Sequence, residues 1–106
     1  MFQSWQSHQA IDPISDEYPE LTLHDAYLIQ QKVIAYRLET TGERIVGKKI
    51  GITSQAVMDI LDVDQPDFGI LTSDMHYKNN ATVPIEQLIA PKAEGEIGFI
   101  LKHNLL

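Results

Sequence analysis

The sequence predicts an α+β domain, one long helix near the start followed by mixed β segments, and three observations carry that expectation. Apolar residues recur at helical spacing between Thr22 and Gly42. β-branched residues then cluster from Ile45 to Ile52, in a run too rich in glycine for a helix. Helix and strand signals follow one another without the regular alternation of a doubly wound parallel sheet. The 106 residues suffice for one domain, spanning 1–106, and 43% hydrophobic against 22% charged residues is the balance of a folded chain.

Residues 1–21 read as an irregular lead-in, broken at Asp12-Pro13 and Tyr18-Pro19, so that regular structure occupies 22–106. Thr22 precedes the first apolar residue, and Asp25 follows three positions later, a capping-box pattern in which Asp replaces the longer Glu. Leu23, Ala26, Tyr27, Val33, Ile34 and Leu38 share one helical face, interrupted by Gln30 and Arg37. Gly42 is the expected stop, free to adopt the left-handed conformation past the helix end. A strand through Ile45, Val46, Ile50 and Ile52 comes next, then a short helix through Val57, Ile60 and Leu61 capped by Thr53 or Ser54. Asp62 to Asp74 reads as a loop, with Pro66 at the second position of a turn. Thr82 to Pro84 predicts a brief strand, Ile85 to Ile89 a turn or short helix, and Glu94 to Leu101 a final strand. Phe99-Ile100-Leu101 is a core-type strand that requires neighbours on both sides. The expectation is therefore a piece of a longer polypeptide, or a sheet completed by association into a homo-oligomer.

Charge and composition exclude several function classes. Eight Lys and Arg against 15 Asp and Glu leave a net charge of −7, which disfavours nucleic acid and anionic membranes as partners. The absence of cysteine removes disulfides, thiol nucleophiles and cysteine-based metal sites. No apolar run is long enough to span a bilayer, and the start of the chain lacks the pattern of a signal peptide, so a cytoplasmic domain is expected.

Two constellations could carry chemistry. In a strand, side chains two apart share a face, so Gly47, Lys49 and Gly51 line one face and Lys48 the other. A lysine flanked by glycines stands where no neighbouring side chain fills the space, which fits a pocket; the same glycines also fit a bulge with a solvated lysine. Alternation likewise places Glu94 and Glu96 on one face, about 6.5–7 Å apart at the backbone, able to converge on a hard divalent cation or equally to face water from an edge strand. Asp67 and Asp74 bracket a turn-rich loop, and Asp67 could form a proton-transfer pair with Lys49 or simply serve the turn after Pro66. The four histidines show no metal-ligand spacing. Gly42 to Lys48 matches the start of a phosphate-binding loop, but Lys49 stands where Ser or Thr must hold magnesium. Asp67-Phe68-Gly69 echoes a kinase motif without the other kinase signatures, and Asn80-Ala81-Thr82 is a sequon that matters only in a secreted chain.

Four segments in order resemble the 2-hydroxypenta-2,4-dienoate (2-keto-4-pentenoate) hydratases of the fumarylacetoacetate hydrolase superfamily. They are Asp25 to Gln30, Gly47 to Ser54, Gln65 to Leu71 with Asp74-Met75 behind it, and Pro91 to Phe99. The resemblance covers the chain from about Ile11 onward. It implies part of a fumarylacetoacetate-hydrolase-like fold and the hydration of a 2-oxopentenoate, a small 2-oxo acid, to 4-hydroxy-2-oxopentanoate in aromatic catabolism. It further implies that Glu94 and Glu96 hold Mg²⁺ or Mn²⁺, which chelates the substrate's 1-carboxylate and 2-oxygen. Lys49 becomes the proton-transferring group, its pKa lowered by the cation, with Asp67 as partner. Family members are longer at both ends, and the third carboxylate ligand is expected in the part absent from this chain. The related 2-oxo-3-hexenedioate decarboxylases share the Lys and Glu motifs, while Pro66 to Gly69 with Asp74-Met75 looks more like the hydratases. A non-catalytic remnant that only self-associates is the alternative outside enzymes.

Overall fold

The structure, a computed structural model, describes residues 1–103. In chain order the elements are α1 (Phe2–Ser7), α2 (Ile14–Glu17), α3 (Leu23–Thr41), β1 (Ile45–Gly51), α4 (Gln55–Leu61) and β2 (Asp67–Thr72), with 3₁₀ turns at Ser73–Met75 and Ile85–Gln87. The class is α+β, as the sequence predicts. No helix among the described residues is long and apolar enough to cross a membrane.

The long helix begins and ends where its sequence signals lie. The Thr22 hydroxyl accepts from the Asp25 amide at 3.2 Å, while the Asp25 carboxylate accepts from the Thr22 amide at 2.9 Å, a complete capping box. At the other end Gly42 adopts φ 74°, and its amide donates to the Leu38 carbonyl. The Thr22 hydrogen bonds, side chain first and backbone second, hold the Asp25 carboxyl below its ordinary pKa. A carboxylate whose pKa is depressed on folding stabilises the fold above its unfolded pKa and loses that contribution as pH falls through the folded value. Thr22→Ala should cost about 1 kcal/mol and weaken this acid sensitivity. Urea unfolding followed by circular dichroism at neutral and acidic pH checks both, and an unchanged midpoint would contradict the cap's role.

β1 and β2 form an antiparallel pair in which Gly51 faces Asp67, Ile50 faces Phe68, Lys49 faces Gly69, Lys48 faces Ile70 and Gly47 faces Leu71. The register shifts between Ile45 and Gly47, so the ladder bulges at Val46. Arg44 and Ser73 close this end: the Ser73 amide donates to the Arg44 carbonyl at 2.8 Å, and the Ser73 hydroxyl accepts from the Arg44 amide. β1 stops one residue short of the expected Ile52, which turns to φ 54°, a region β-branched residues rarely occupy. α4 follows, capped by Ser54, whose hydroxyl accepts from the Val57 amide.

Four expectations are corrected. The lead-in carries α1 and α2, and α1 docks on α3: the Phe2 and Tyr36 rings meet edge to face at 4.1 Å, and the Arg37 guanidinium lies 4.3 Å over Trp5. The segment read as loop contains β2, because Pro66 ends one turn and Phe68, Ile70 and Leu71 then find β1 as partner. Thr82 to Pro84 forms no strand. Glu94 to Leu101 forms none either: its alternation is real in sequence, but no strand among the described residues pairs with it. Phe99 is 83% and Ile100 102% exposed.

No apolar side chain among the described residues is fully buried; the buried ones are Arg37, Glu43 and Thr72. Arg37 Nε donates to Glu43 Oε1 at 2.8 Å, and the Thr41 hydroxyl donates to the same oxygen at 3.0 Å. This polar cluster ties the end of α3 to the residue that leads into β1.

Candidate functional site

The site is organised by the face of β1 that carries the glycines. Lys49 lies there between Gly47 and Gly51, and across the ladder the same face continues through Asp67, Gly69 and Leu71. Gly51 leaves room for a side chain from the partner strand. A Cβ at this position would collide with Asp67 Oδ1, so the Asp67 carboxylate lies over the Gly51 backbone. Gly47 meets Leu71 only at ordinary contact distance.

Glu94 and Glu96 reach this face from outside the hairpin. Lys49 Nζ donates to Glu96 Oε1 at 3.0 Å and stands 3.9 Å from Glu94 Oε2. The two carboxylates thus point to the same side, although their segment is irregular and the strand alternation expected to align them is absent. The cluster is open: the side chains of Lys49, Glu94 and Glu96 are 46%, 69% and 61% exposed. Asp67 is exposed as well. The Lys49 pKa is raised, first by the Glu96 hydrogen bond and charge, against a smaller desolvation effect, with Glu94 and Asp67 adding to the rise. Asp74 lies in the 3₁₀ turn after β2 and does not join the cluster by any described hydrogen bond or ion pair.

Two carboxylates converging on one positive charge are a suitable partial ligand set for a hard divalent cation, which commonly takes one or two protein carboxylates and completes its shell with water or substrate. No group of three or more His, Cys, Asp or Glu able to hold a metal occurs among the described residues.

Three further residues matter, and the sequence reading passed over their contribution. Tyr27 and Gln30 on α3 both reach the backbone of Phe68, next to Asp67: the Tyr27 hydroxyl accepts from the Phe68 amide at 3.1 Å, and Gln30 Nε2 donates to the Phe68 carbonyl at 3.1 Å. Arg37 anchors Glu43. Gln30 and Arg37 are the two polar interruptions of the apolar stripe, and that interruption was the available signal. A concavity of about 650 Å³ lies between α3, α4 and the start of β2, lined by Tyr27, Ile52, Met58, Asp62 and Asp67 among others. Among its lining residues Asp67 adjoins the lysine–carboxylate cluster, and it therefore stands between the open concavity and the charged groups.

Gly51→Ala is expected to keep the hairpin and displace the Asp67 carboxylate, since the obstructing atoms belong to a movable side-chain end. The carboxyl resonance of Asp67 in an NMR spectrum should move while signals from α3 stay in place. An unmoved Asp67 resonance would contradict the close approach.

No family model matches the chain. Its sequence is 46% identical over 107 residues to 2-hydroxyhexa-2,4-dienoate hydratase of Comamonas testosteroni, covering 99% of this chain and 40% of that protein. It is 44% identical over 107 residues to 2-hydroxypent-2,4-dienoate hydratase of Pseudomonas putida, covering 100% and 48%. A third relative, 2-keto-4-pentenoate hydratase of Paraburkholderia xenovorans (strain LB400), is 43% identical over 105 residues, covering 99% and 39%. The chain thus spans less than half the length of these relatives. Among solved structures it is similar to 4-oxalocrotonate decarboxylase from Pseudomonas putida G7. The form complexed with calcium and acetate gives a TM-score of 0.73 at 31% identity, covering 83% of this chain and 34% of that one. The form complexed with magnesium and adipate gives 0.61 at 35% identity, covering 68% and 27%.

Proposed function

Because the chain belongs to the 2-keto-4-pentenoate hydratase family, within the fumarylacetoacetate hydrolase superfamily, we propose that the protein carrying it hydrates 2-hydroxypenta-2,4-dienoate to 4-hydroxy-2-oxopentanoate. The observation that supports this most is the meeting of Lys49, Glu94 and Glu96 on the glycine-lined face, with Asp67 beside them, in a chain 43–46% identical to named hydratases.

The chemistry explains why such a cluster is useful. Substrate and product differ by one water: C4 gains a hydroxyl, C3 and C5 each gain a hydrogen, and the enol oxygen on C2 loses one. Proton donors and acceptors must therefore serve carbon and oxygen within one site. Lys49, whose ammonium lies beside both glutamates on the glycine-lined face, is the proton donor to carbon. Asp67, on the same face and open to the adjoining concavity, accepts the enol proton. Glu94 and Glu96 would hold Mg²⁺ or Mn²⁺, and the bound cation supplies Lewis-acid stabilisation of the negative charge on the substrate's oxygens. The magnesium and calcium carried by the similar decarboxylase structures support a divalent ion. A third ligand would come from beyond these 106 residues, which form part of one domain of a longer, cytoplasmic and homo-oligomeric enzyme.

A second reading has its own observation: the two similar solved structures described above are forms of a decarboxylase. Their identity of 31–35% is below the 43–46% of the hydratases, which favours water addition. Supplying the polypeptide that carries this sequence with 2-hydroxypenta-2,4-dienoate and with 2-oxo-3-hexenedioate separates the two. The expected result is 4-hydroxy-2-oxopentanoate from the first and little CO₂ from the second; the reverse would establish the decarboxylase.

A further inference from the structure

We propose that Tyr27 and Gln30 are positioning residues that grip the Phe68 backbone on both sides of its Cα and thereby hold the Asp67 carboxylate on the Lys49 face of the hairpin. The inference rests on the functional reading above and adds two residues to it. In an antiparallel ladder the amide and carbonyl of one residue both point toward the partner strand or both point away from it. Both backbone groups of Phe68 are taken by α3 side chains, so they lie on the outer edge of β2, where a further strand would otherwise pair.

Tyr27 and Gln30 are three apart, neighbours on one helical face, and the Tyr27 ring also packs near the Phe68 ring with centroids 6.4 Å apart. The helix thus grips both backbone groups of one residue, and its ring, through an acceptor, a donor and an aromatic neighbour. That residue adjoins Asp67, and strand register decides the face on which Asp67 falls: a slip of one residue would turn its carboxylate away from Lys49. The hairpin has only two strands and a bulge at Val46, so its own ladder specifies register weakly. Arg44 and Ser73 fix one end, and Tyr27 with Gln30 fix the other.

The test uses Tyr27→Phe and Gln30→Leu in the whole polypeptide carrying this sequence, each alone and each combined with Asp67→Asn. Both single variants should speed hydrogen exchange at the Phe68 amide and lower kcat by about tenfold, with KM little changed, since misplacing a reacting group costs rate more than binding. In the Asp67→Asn background they should cost nothing further, because the group they position is already gone. Gln30→Leu leaves the Tyr27 bond in place, so a folding failure of one variant does not remove the test. Unchanged exchange, unchanged kcat, or losses that multiply with Asp67→Asn would overturn the proposal. Full turnover in Asp67→Asn itself would instead remove Asp67 from the mechanism and the positioning role with it, and the product assay on the unaltered protein would show whether hydration survives that loss.

Discussion

Lys49→Met should lower turnover of 2-hydroxypenta-2,4-dienoate by about 10²–10⁴-fold, the usual contribution of a placed proton-transfer group. Methionine keeps the length and most of the volume of the lysine stem, and the side chain is half exposed, so little packing is lost. What disappears is the ammonium between Glu94 and Glu96. Two effects then separate. Proton delivery fails, while the two carboxylates, freed from their ion pair, should bind a divalent cation at least as well as before. Measuring kcat beside Mg²⁺ affinity therefore distinguishes a catalytic lysine from one that merely neutralises the acidic pair. Lys48→Met, on the opposite face of β1, is the control, and its turnover should stay near that of the unaltered protein. Equal loss in both variants would mean that the glycine-lined face has no special chemistry.

The second large effect is on stability. Glu43→Ala should destabilise the protein by about 3 kcal/mol, near the low end for breaking a buried ion pair, because the cluster is covered by a thin layer of neighbours and lacks a deep core around it. Removing the carboxylate leaves the Arg37 guanidinium with Trp5 and takes away one of the two acceptors of the Thr41 hydroxyl, the other being the Arg37 carbonyl. Desolvation acts to raise the Glu43 pKa, but hydrogen bonds from Arg37, help from Thr72 and Thr41, and the Arg37 charge together outweigh it and hold the carboxyl below its ordinary value. Its stabilising contribution is thus present above the unfolded carboxylate pKa and lost as pH falls through the folded one. Glu43 Oε2 and the Thr72 hydroxyl are buried without a hydrogen-bond partner in good geometry, which limits the net gain of the cluster. Urea unfolding of Glu43→Ala should show a much earlier midpoint and a flatter dependence on acid pH. A midpoint shift no larger than that of Thr22→Ala would contradict the anchoring role.

Legibility in the sequence followed the range of the interactions. The caps of α3 and α4 depend on residues three or four apart: Thr22, Asp25 and Gly42 announced the first, and Ser54, one of the two candidates with Thr53, is the second. The face of Lys49 followed from two-residue alternation between glycines. β2 was hidden because Gln65 to Gly69 carries turn residues, and only pairing with β1, about twenty residues earlier, makes Asp67 onward a strand. Glu94 to Leu101 failed in the opposite direction: its pattern is that of a strand, but a strand forms only against a partner, and none of the described residues supplies one. Gln30 and Arg37 looked like defects in an apolar stripe. They are the positions where the helix makes polar contact with Phe68 and Glu43, groups that no local pattern brings near. That the two glutamates converge on Lys49 despite lacking a strand is a tertiary fact, and alternation predicted the shared side for a reason the structure does not use.

The most direct measurement is the rate of water addition to 2-hydroxypenta-2,4-dienoate by the whole polypeptide carrying this sequence, before and after removal of divalent ions with a chelator. Turnover should vanish with the ions and return on addition of Mg²⁺ or Mn²⁺. In Glu96→Gln the return should require far more metal. Turnover that persists without divalent ions, or a Glu96→Gln response identical to that of the unaltered protein, would contradict a metal-assisted site built on Lys49, Glu94 and Glu96.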